Sequence, residues 1–358
     1  MKIAMVGQFP PQVGGVGVHI HTLSKKLVED GHEVFVITYP HKDLKDIDGI
    51  HVIGTKGINI PGIRGLSFKK SAKKALEELC KNEDIDIIHG HYLFPAGAAV
   101  VEVGKKNRIK TYVTAHGSDM FELYKKQSFM RNPIKKVLKD ADKVFAVSNA
   151  LKDEILATEV KGIADKTSVY WNSVDVNKFK EPDKKEKKDK PTVMFVGNLI
   201  KRKNVATILN AKKECKTDFD LVIVGDGPLF NDLQNKVKEE NIEGVTFTGA
   251  RNDVENIIPT ADLLILPSFS ESFGLVLIEA LACGVPVIGS DVGGIKEIIT
   301  PEVGLLINPN KTATLSKAID KVLTDEDLYN KFKSNARNRA LDFSEIEIPY
   351  EELKWEKL

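Results

Sequence analysis

Residues 266–298 read LPSFSESFGLVLIEALACGVPVIGSDVGGIKEI. Residues 268–272, which are small or polar except for Phe269, are typical of a loop that meets a ligand. Gly274 can open a helix, which strong helix formers continue to Cys283 before Gly284 ends it. Apolar residues precede the loop and follow the helix. The stretch therefore predicts a strand, loop, helix and second strand of an α/β sheet.

Glu279 is the only charged residue in this predicted helix. The residues three and four positions away cannot pair with a carboxylate: they are Leu275, Val276, Ala282 and Cys283. A helix that is apolar on every side is buried, and a buried carboxylate is costly unless it shifts its pKa or finds a partner. We expect that partner to be either a pair of ligand hydroxyls or a lysine from another strand.

Glu271 lies in the loop, eight positions before Glu279. The N–H groups of the next residues would form the helix N-terminus, where free N–H groups and the positive dipole end attract phosphate. These residues are Ser272, Phe273, Gly274 and Leu275. One short segment can therefore offer amides for a diphosphate and two carboxylates for sugar hydroxyls.

The length of 358 residues suits two domains of about 150 residues each. No apolar run is long enough to span a bilayer, and the first residues enter a strand at once, so we expect no signal peptide. Cys80, Cys215 and Cys283 are widely spaced, which fits buried thiols in a reducing cytoplasm and provides no paired metal ligands. We expect a cytoplasmic protein.

The net charge of +1 argues against general nucleic-acid binding. Residues 1–175 nevertheless carry 26 Lys and Arg against 21 Asp and Glu, whereas the remainder carries 26 against 30. A solvated lysine-rich surface is one explanation, and attraction to an anionic lipid surface or acidic acceptor is the other. The basic residues concentrate at Arg64, Lys69, Lys70, Lys73, Lys74, Lys105, Lys106, Arg108, Lys110, Lys125, Lys126, Arg131, Lys135 and Lys136.

The N-terminal half alternates predicted strands and helices, which indicates a mostly parallel, doubly wound sheet. After the first strand, Gly14, Gly15 and Gly17 let the backbone approach a ligand closely. A nicotinamide-type site is disfavoured because GGVG is not G-x-G-x-x-G and the second strand does not end in an acid. We predict one continuous helix over residues 119–139.

Histidines and acidic pairs provide no clear metal site. His89 and His91 share one face of a strand, but we expect no third ligand nearby and therefore predict no metal site. Asp-x-Asp occurs five times and is uninformative at that frequency. His116 and Asp119 lie in the turn HGSD, where a turn or core role for His116 is the simpler explanation.

Several motifs together resemble the retaining glycosyltransferases of the GT-B fold, of the family-four type. They are the Glu271–Glu279 pair around SFG, the following GVPVIGSDVGG, PPQVGGVG at 10–17, HGSD at 116–119 and NSVD at 172–175. The resemblance implies an α/β fold with two Rossmann-like domains facing each other across a cleft. It divides the chain into an acceptor-side domain (1–175), a charged linker (176–190), a nucleotide-sugar domain (191–335) and a segment crossing back to the first domain (336–358).

The resemblance also implies roles for individual residues. Glu279 would hold the ribose hydroxyls of a nucleotide-sugar donor, and Glu271 a hydroxyl of its sugar. Lys203, together with Arg202, would neutralise the diphosphate, although Asn198 stands where the family has an arginine and Lys203 can otherwise be simple surface charge. The amides of residues 273–275 and of Gly15 would face the phosphates. His116 would lie beside the transferred sugar, with Asp119 among the substrate-binding residues.

The implied reaction moves a hexosyl unit to an acceptor hydroxyl, with retention at the anomeric carbon and without metal or other cofactor. The base, the sugar, the acceptor and the oligomeric state are not predicted, and specificity is expected in loops 8–18, 55–68, 90–96 and 117–131. Two alternatives remain open. A GT-B epimerase would act on the nucleotide-sugar alone, and a non-catalytic module would bind it without turnover.

Overall fold

The structure, a computed structural model, describes residues 1–12, 14–57, 64–182, 189–346 and 348–350. Its residues form two compact units: Met1–Trp171 with the described residues from Ile346 onward, and Asn172–Glu345. Each unit contains its own parallel sheet with helices between the strands. The prediction of two Rossmann-like domains is confirmed.

The first unit contains a seven-stranded sheet in which every pairing is parallel. Its strands are β1 (Lys2–Val6), β2 (Glu33–Thr38), β3 (His51–Gly54), β4 (Ile87–His91), β5 (Lys110–Ala115), β6 (Lys143–Ala146) and β7 (Thr167–Val169), in the order β3-β2-β1-β4-β5-β6-β7. The strand order reverses between β1 and β4. In open α/β sheets ligands bind beyond the carboxyl ends of the strands at such a reversal.

Alternate residues of the strands supply two separate apolar layers, one on each face of this sheet. Ile3 and Met5 belong to one layer, and Ala4 and Val6 to the other. The helices that cover the faces are α1 (Gly15–Glu29), α2 (Arg64–Asn82), α3 (Ala98–Asn107), α4 (Arg131–Asp140), α5 (Asn149–Leu156) and α6 (Ile163–Lys166). Most strand residues are therefore buried on both faces, which explains their continuous apolar sequences.

The prediction of one helix over residues 119–139 is wrong. A π-helical segment covers Asp119–Tyr124, a 3-10 turn covers Ser128–Met130, and α4 starts only at Arg131. The backbone of Gln127 between them is extended, with φ −121° and ψ 97°. Pro133 contributes to the break because it has no N–H to donate within a continuous helix and is tolerated only in a first turn.

The second unit contains a six-stranded parallel sheet. Its strands are β8 (Thr192–Val196), β9 (Asp220–Val224), β10 (Val245–Gly249), β11 (Leu263–Leu266), β12 (Val287–Ser290) and β13 (Gly304–Ile307), in the order β10-β9-β8-β11-β12-β13. The helices are α7 (Val205–Glu214), α8 (Phe230–Glu239), α9 (Val254–Ile257), α10 (Leu275–Ala282), α11 (Ile295–Ile298), α12 (Thr312–Thr324) and α13 (Glu326–Leu341). Here the order reverses between β8 and β11, so the loops after these strands lie at the ligand-binding end.

The C-terminal residues divide between the two units. Helix α13 packs against α10 in the second unit. Tyr350 is fully buried in the first unit, where its hydroxyl is 2.9 Å from Nδ1 of His89. The predictions for the linker, for loops 8–18 and 55–68 and for the terminal segment fall in part on residues 183–188, 13, 58–63, 347 and 351–358, outside the described residues. Within the described ranges, no helix combines the length and apolarity needed to cross a membrane.

Candidate active site

In the second unit, the loops after β8 and β11 bring two cations onto one carboxylate. Nζ of Lys203 is 2.6 Å from Oε2 of Glu271, and Nη1 of Arg202 is 3.3 Å from Oε1. The hydroxyl of Ser268 donates to the same Oε2 at 3.3 Å. The Glu271 side chain is 8% exposed, against 15% for Lys203 and 27% for Arg202. The carboxylate is therefore buried beneath two cations that still reach solvent.

Burial raises the pKa of the Glu271 carboxyl, but the charges of Lys203 and Arg202 outweigh burial and hold the pKa below its usual value. The cluster is therefore an ionised carboxylate with two cations and carries a net positive charge. Such a charge at the ligand-binding end of a parallel sheet suits an anionic ligand.

Backbone contacts fix the two loops against each other. Nη1 of Arg202 donates to the carbonyl of Ser270 at 2.8 Å, and the N–H of Phe269 donates to the carbonyl of Arg202 at 2.8 Å. The side-chain amide of Asn204 donates to the carbonyl of Pro267 at 3.2 Å, which ties the end of one loop to the start of the other. The cations are thus held by bonds that do not depend on a bound ligand.

The Gly293–Gly294 pair after β12 packs directly on the backbone of Glu271 and Ser272. A Cβ atom at Gly293 would lie 2.0 Å from the carbonyl oxygen of Glu271, and one at Gly294 would lie 2.3 Å from that of Ser272. The N–H of Gly294 donates to the Glu271 carbonyl at 3.1 Å. The contact of this glycine pair with Glu271 was not predicted from the sequence, where the pair served only the resemblance, although two adjacent glycines after a strand are a signal of close backbone approach.

Glu279 lies in the middle of α10 and is half-buried rather than fully buried as predicted. Burial raises the pKa of its carboxyl to about 7, the charge of Lys178 opposes this rise, and Glu255 adds to it. Among the described residues none is within ion-pair or hydrogen-bond distance of its side chain. The alternative partner expected for Glu279, a lysine from another strand, does not pair with it in the described part of the chain.

The N-terminus of α10 has the geometry expected of the predicted phosphate-facing amides. Gly274 precedes the helix with φ +105°, which favours glycine, and Leu275 is the first helical residue. The Phe273 ring is buried against Phe343, so only its backbone can face a ligand. Asn198, which follows β8, is exposed.

In the first unit, the glycine loop ends where α1 begins. Gly14 precedes the helix with φ +152°, and Gly15 is its exposed first residue. Gly17 is buried, and a Cβ atom there would lie 3.3 Å from the carbonyl oxygen of Gln12. The three glycines therefore permit a tight loop at the carboxyl end of β1.

Asp119 holds the turn that contains His116. Its buried carboxylate accepts hydrogen bonds from the backbone N–H groups of Gly117 (2.9 Å), Leu93 (3.0 Å), Met120 (3.2 Å) and His116 (3.4 Å). These four donors join the segments after β4 and β5. The contacts show that Asp119 positions this turn, and the substrate contact predicted for it from the sequence stays a prediction.

His116 is 9% exposed and belongs to a cluster of imidazoles. Its ring stacks on His91 with the centroids 5.5 Å apart, and the His19 ring meets it edge-on at 5.1 Å. Burial lowers the pKa of His91 and of His116 well below the usual value, and neighbouring imidazoles lower both further, so these rings are neutral. The expectation that His91 lacks further nitrogen ligands nearby is wrong, because the fold brings His19 from α1 and His116 from the end of β5 beside it.

The cations and Glu271 thus come together in one unit, and His116, Asp119 and the glycine loop in the other. The family model described as Glycosyltransferase Family 4 matches residues 13–178, and that described as Glycosyl transferases group 1 matches residues 176–339. The N-acetyl-alpha-D-glucosaminyl L-malate synthase of Bacillus anthracis is 34% identical over 97% of this chain and 92% of its own.

Two solved structures share the fold. Sucrose-phosphate synthase from Thermosynechococcus elongatus superposes with a TM-score of 0.83 at 23% identity, covering 96% of this chain and 94% of its own. The Anabaena protein HepE, solved with UDP and glucose, gives 0.82 at 21% identity, covering 97% and 96%.

Proposed function

This chain belongs to the group 1, family-four glycosyltransferases, and from that premise we propose that it transfers a hexosyl unit from a nucleotide diphosphate sugar to an acceptor hydroxyl, with retention of the anomeric configuration. The observation that carries the donor assignment is the carboxyl of Glu279. It is half-buried, its pKa is raised to about 7, and no described residue pairs with it. A ribose diol would supply the missing hydrogen bonds.

Lys203 and Arg202 neutralise the donor diphosphate. Without donor, Glu271 is the anion that these cations contact, at 2.6 Å and 3.3 Å. Because both cations still reach solvent, a diphosphate can share them while Glu271 accepts a hydrogen bond from a sugar hydroxyl. Amides at the N-terminus of α10 complete the phosphate contacts that the second unit offers. A UDP-sugar is the first donor to test, since HepE was solved with UDP and glucose.

The reaction breaks the bond between the anomeric carbon and the phosphate oxygen and forms one from that carbon to the acceptor oxygen. The acceptor proton passes to the leaving phosphate oxygen on the same face, which gives retention without a covalent enzyme intermediate. Lys203 and Arg202 stabilise the charge that develops on the leaving group, and such electrostatic stabilisation is usually the largest contribution to rate. His116, with its neutral ring, lies beside the transferred sugar, and Asp119 holds the turn that carries it.

Retention is also supported by the Bacillus anthracis relative, whose name denotes an alpha-linked product. That configuration results when an alpha-linked donor reacts with retention. Product NMR tests this step, and a beta-linked product from an alpha-linked donor would refute it. Isolation of a glycosyl-enzyme adduct during turnover would refute the same-face route.

Calorimetry tests the donor assignment. Glu279→Ala removes the ribose contact, so UDP affinity should fall by at least tenfold, because a hydrogen bond to a charged group contributes about 1.5–3 kcal/mol. Glu239→Ala, at an exposed position on α8, is the control and should bind UDP as the wild type does. An unchanged UDP affinity in Glu279→Ala would reject the role of Glu279.

A further inference from the structure

Three imidazoles meet in the first unit at the point where its strand order reverses. His19 comes from α1, His91 is the last residue of β4, and His116 follows β5. One ring nitrogen of each lies within 4.8 Å of a ring nitrogen of each of the others. Nδ1 of His91 and Nε2 of His116 are 3.3 Å apart, and Nε2 of His91 is buried with no hydrogen-bond partner among the described residues.

These spacings approach those of a metal centre. With Zn–N distances of 2.0–2.1 Å, two nitrogens bound to one tetrahedral ion are about 3.3 Å apart. The pair formed by His91 and His116 already has this separation. None of the three separations exceeds 4.8 Å, so the widest has to close by at most about 1.5 Å, which rotation of the rings can supply.

His89 is excluded as a ligand although it is adjacent in the strand face. Its Nε2 is 2.7 Å from the hydroxyl of Thr114, and its Nδ1 is 2.9 Å from the hydroxyl of Tyr350. Both nitrogens are therefore engaged. The His89 ring stacks on the His91 ring and restricts its movement on that side, as the residues that surround metal ligands do.

We propose that His19, His91 and His116 bind one divalent transition-metal ion of the Zn²⁺ class. Three imidazoles without a carboxylate suit Zn²⁺, Co²⁺, Ni²⁺ or Cu²⁺ and disfavour Mg²⁺, Ca²⁺ and Mn²⁺. Three protein ligands also leave a fourth position open to water. The proposed function places His116 beside the transferred sugar, so a bound ion and the donor should compete for this residue. The competition rests on the proposed function, whereas the metal site itself does not.

Cobalt titration of the full chain without an affinity tag tests the site. We expect the visible bands of tetrahedral Co²⁺ to saturate at one ion per chain. They should be lost in His91→Gln and in His19→Gln, each checked for its fold by circular dichroism, and Zn²⁺ should displace the Co²⁺ from the wild type. No bands, or bands unchanged in both variants, would overturn the proposal.

His51→Gln is the matched control, because His51 is exposed beside carboxylates, 3.3 Å from Asp46 and 3.9 Å from Glu33. Loss of the bands in this variant would place the ion there and overturn the proposal. Inhibition is measured separately. The Zn²⁺ concentration that halves the rate of transfer should be at least tenfold lower for the wild type than for His19→Gln. Equal inhibition of both would refute the competition. A chain with the cobalt bands but no transferase activity in metal-free buffer would count against the proposed function and leave the metal site intact.

Discussion

Glu271 pairs with both Lys203 and Arg202, and this pairing determines how much positive charge remains for an anionic ligand. A buried carboxylate with one cation would be neutral, whereas two cations leave an excess positive charge at the mouth of the site. A diphosphate can therefore bind without first displacing Glu271. In the proposed function the carboxylate would keep the ammonium and guanidinium groups in place before the donor binds, which would reduce reorganisation during the reaction.

Glu271→Gln separates the binding of the nucleotide from the transfer of the sugar. The variant keeps both cations and the side-chain volume, so we expect UDP affinity to stay within about threefold of the wild type. The turnover number should fall by about 10- to 100-fold, because a hydrogen bond to a charged group contributes about 1.5–3 kcal/mol. Calorimetry and steady-state kinetics check the two quantities, and an unchanged turnover number would contradict the role of Glu271 in holding the sugar.

Glu279 should make the stability of the chain depend on pH. Its pKa is about 7 in the folded chain against an ordinary value of 4.5, so ionisation is disfavoured by folding. The wild type therefore loses stability as the pH rises from about 4.5 to about 7. Glu279→Gln removes this loss and should be more stable than the wild type above pH 7, by at most about 3 kcal/mol, with no advantage below pH 4.5.

Urea unfolding without donor at pH 8 and at pH 4.5 measures this difference. Glu239→Gln, at an exposed position of α8, is the control and should show no comparable pH-dependent gain. A Glu279→Gln variant that is less stable than the wild type at pH 8 would mean that a protein group pairs with the carboxylate.

The sequence was sufficient to predict that Glu279 has no partner on its own helix, because the evidence is local: its neighbours on that helix are apolar. The contact between Lys203 and Glu271 joins residues 68 positions apart, and neither residue differs by itself from a surface charge. The same limit applies to His19, which lies in an ordinary helical pattern. It contacts His91 and His116 only because the strand order places β1, β4 and β5 side by side. Local patterns thus predict candidate residues, and the topology of the sheet decides which of them meet.

At the level of elements, both sheets reverse their order beside the strands that carry the predicted motifs. The ends of β1, β4 and β5 hold the glycine loop and the histidines, and the ends of β8 and β11 hold the cations and Glu271. The bounds of the elements follow the hydrophobic period where that period is clear, as in Lys110–Ala115 and Glu326–Leu341. The segment 119–139 was predicted wrongly as one helix, since helix-forming composition does not reveal the turn that the Asp119 carboxylate stabilises.

Gly293 should be needed for the shape of the loop after β11. In Gly293→Ala the new Cβ would lie 2.0 Å from the Glu271 carbonyl oxygen, at a backbone φ of +49°. We expect a loss in the free energy of unfolding of about 3 kcal/mol or more and at least tenfold weaker UDP binding, because the displaced loop moves the amides of residues 273–275 that are proposed to face the phosphates.

Gly162→Ala is the matched control for Gly293→Ala. Its φ is +72°, and no atom of the described residues lies within 4 Å of the added Cβ. Only the left-handed backbone strain remains, which costs about 1–2 kcal/mol. Urea unfolding and calorimetry compare the two variants, and equal losses in both would show that contact with the Glu271 backbone is unimportant.

At the level of the whole molecule, the excess of basic residues in residues 1–175 is partly neutralised by ion pairs. Several of the lysines singled out in the sequence contact carboxylates: Lys69 and Lys73 contact Glu102, Lys106 contacts Glu77, Lys125 contacts Glu154, Lys126 contacts Glu122, and Lys136 contacts Asp140. The apolar side of α4 is buried in its own unit, whereas Phe129 beside it is 73% exposed. Membrane contact therefore stays a proposal, and it would depend on charge rather than on insertion of α4.

Sedimentation with anionic vesicles tests that proposal. We expect weak association at 0.01 M salt, where the Debye length is about 30 Å, and release at 0.15 M salt, where it is about 8 Å. Arg131→Glu should weaken the association further, whereas Lys321→Glu, in α12 of the second unit, should not. Absence of association at low salt would reject membrane contact, and association that persists in salt would point to apolar insertion instead.

Donor binding should stabilise the second unit more than the first, because the proposed nucleotide contacts come mainly from residues 198–204 and 268–279. At a UDP concentration of 100 times Kd, linkage adds about 2.7 kcal/mol to the native state, and for a unit of this size that corresponds to a rise in melting temperature of roughly 5–10 °C. Hydrogen exchange should slow in these two segments and not in strands β2 and β3.

Comparison of UDP, GDP and ADP in the same thermal screen identifies the base, and Glu279→Ala should lose the stabilisation by the preferred nucleotide. Equal stabilisation by all three would mean that the site recognises phosphate alone, and no stabilisation by any of them would contradict the donor assignment.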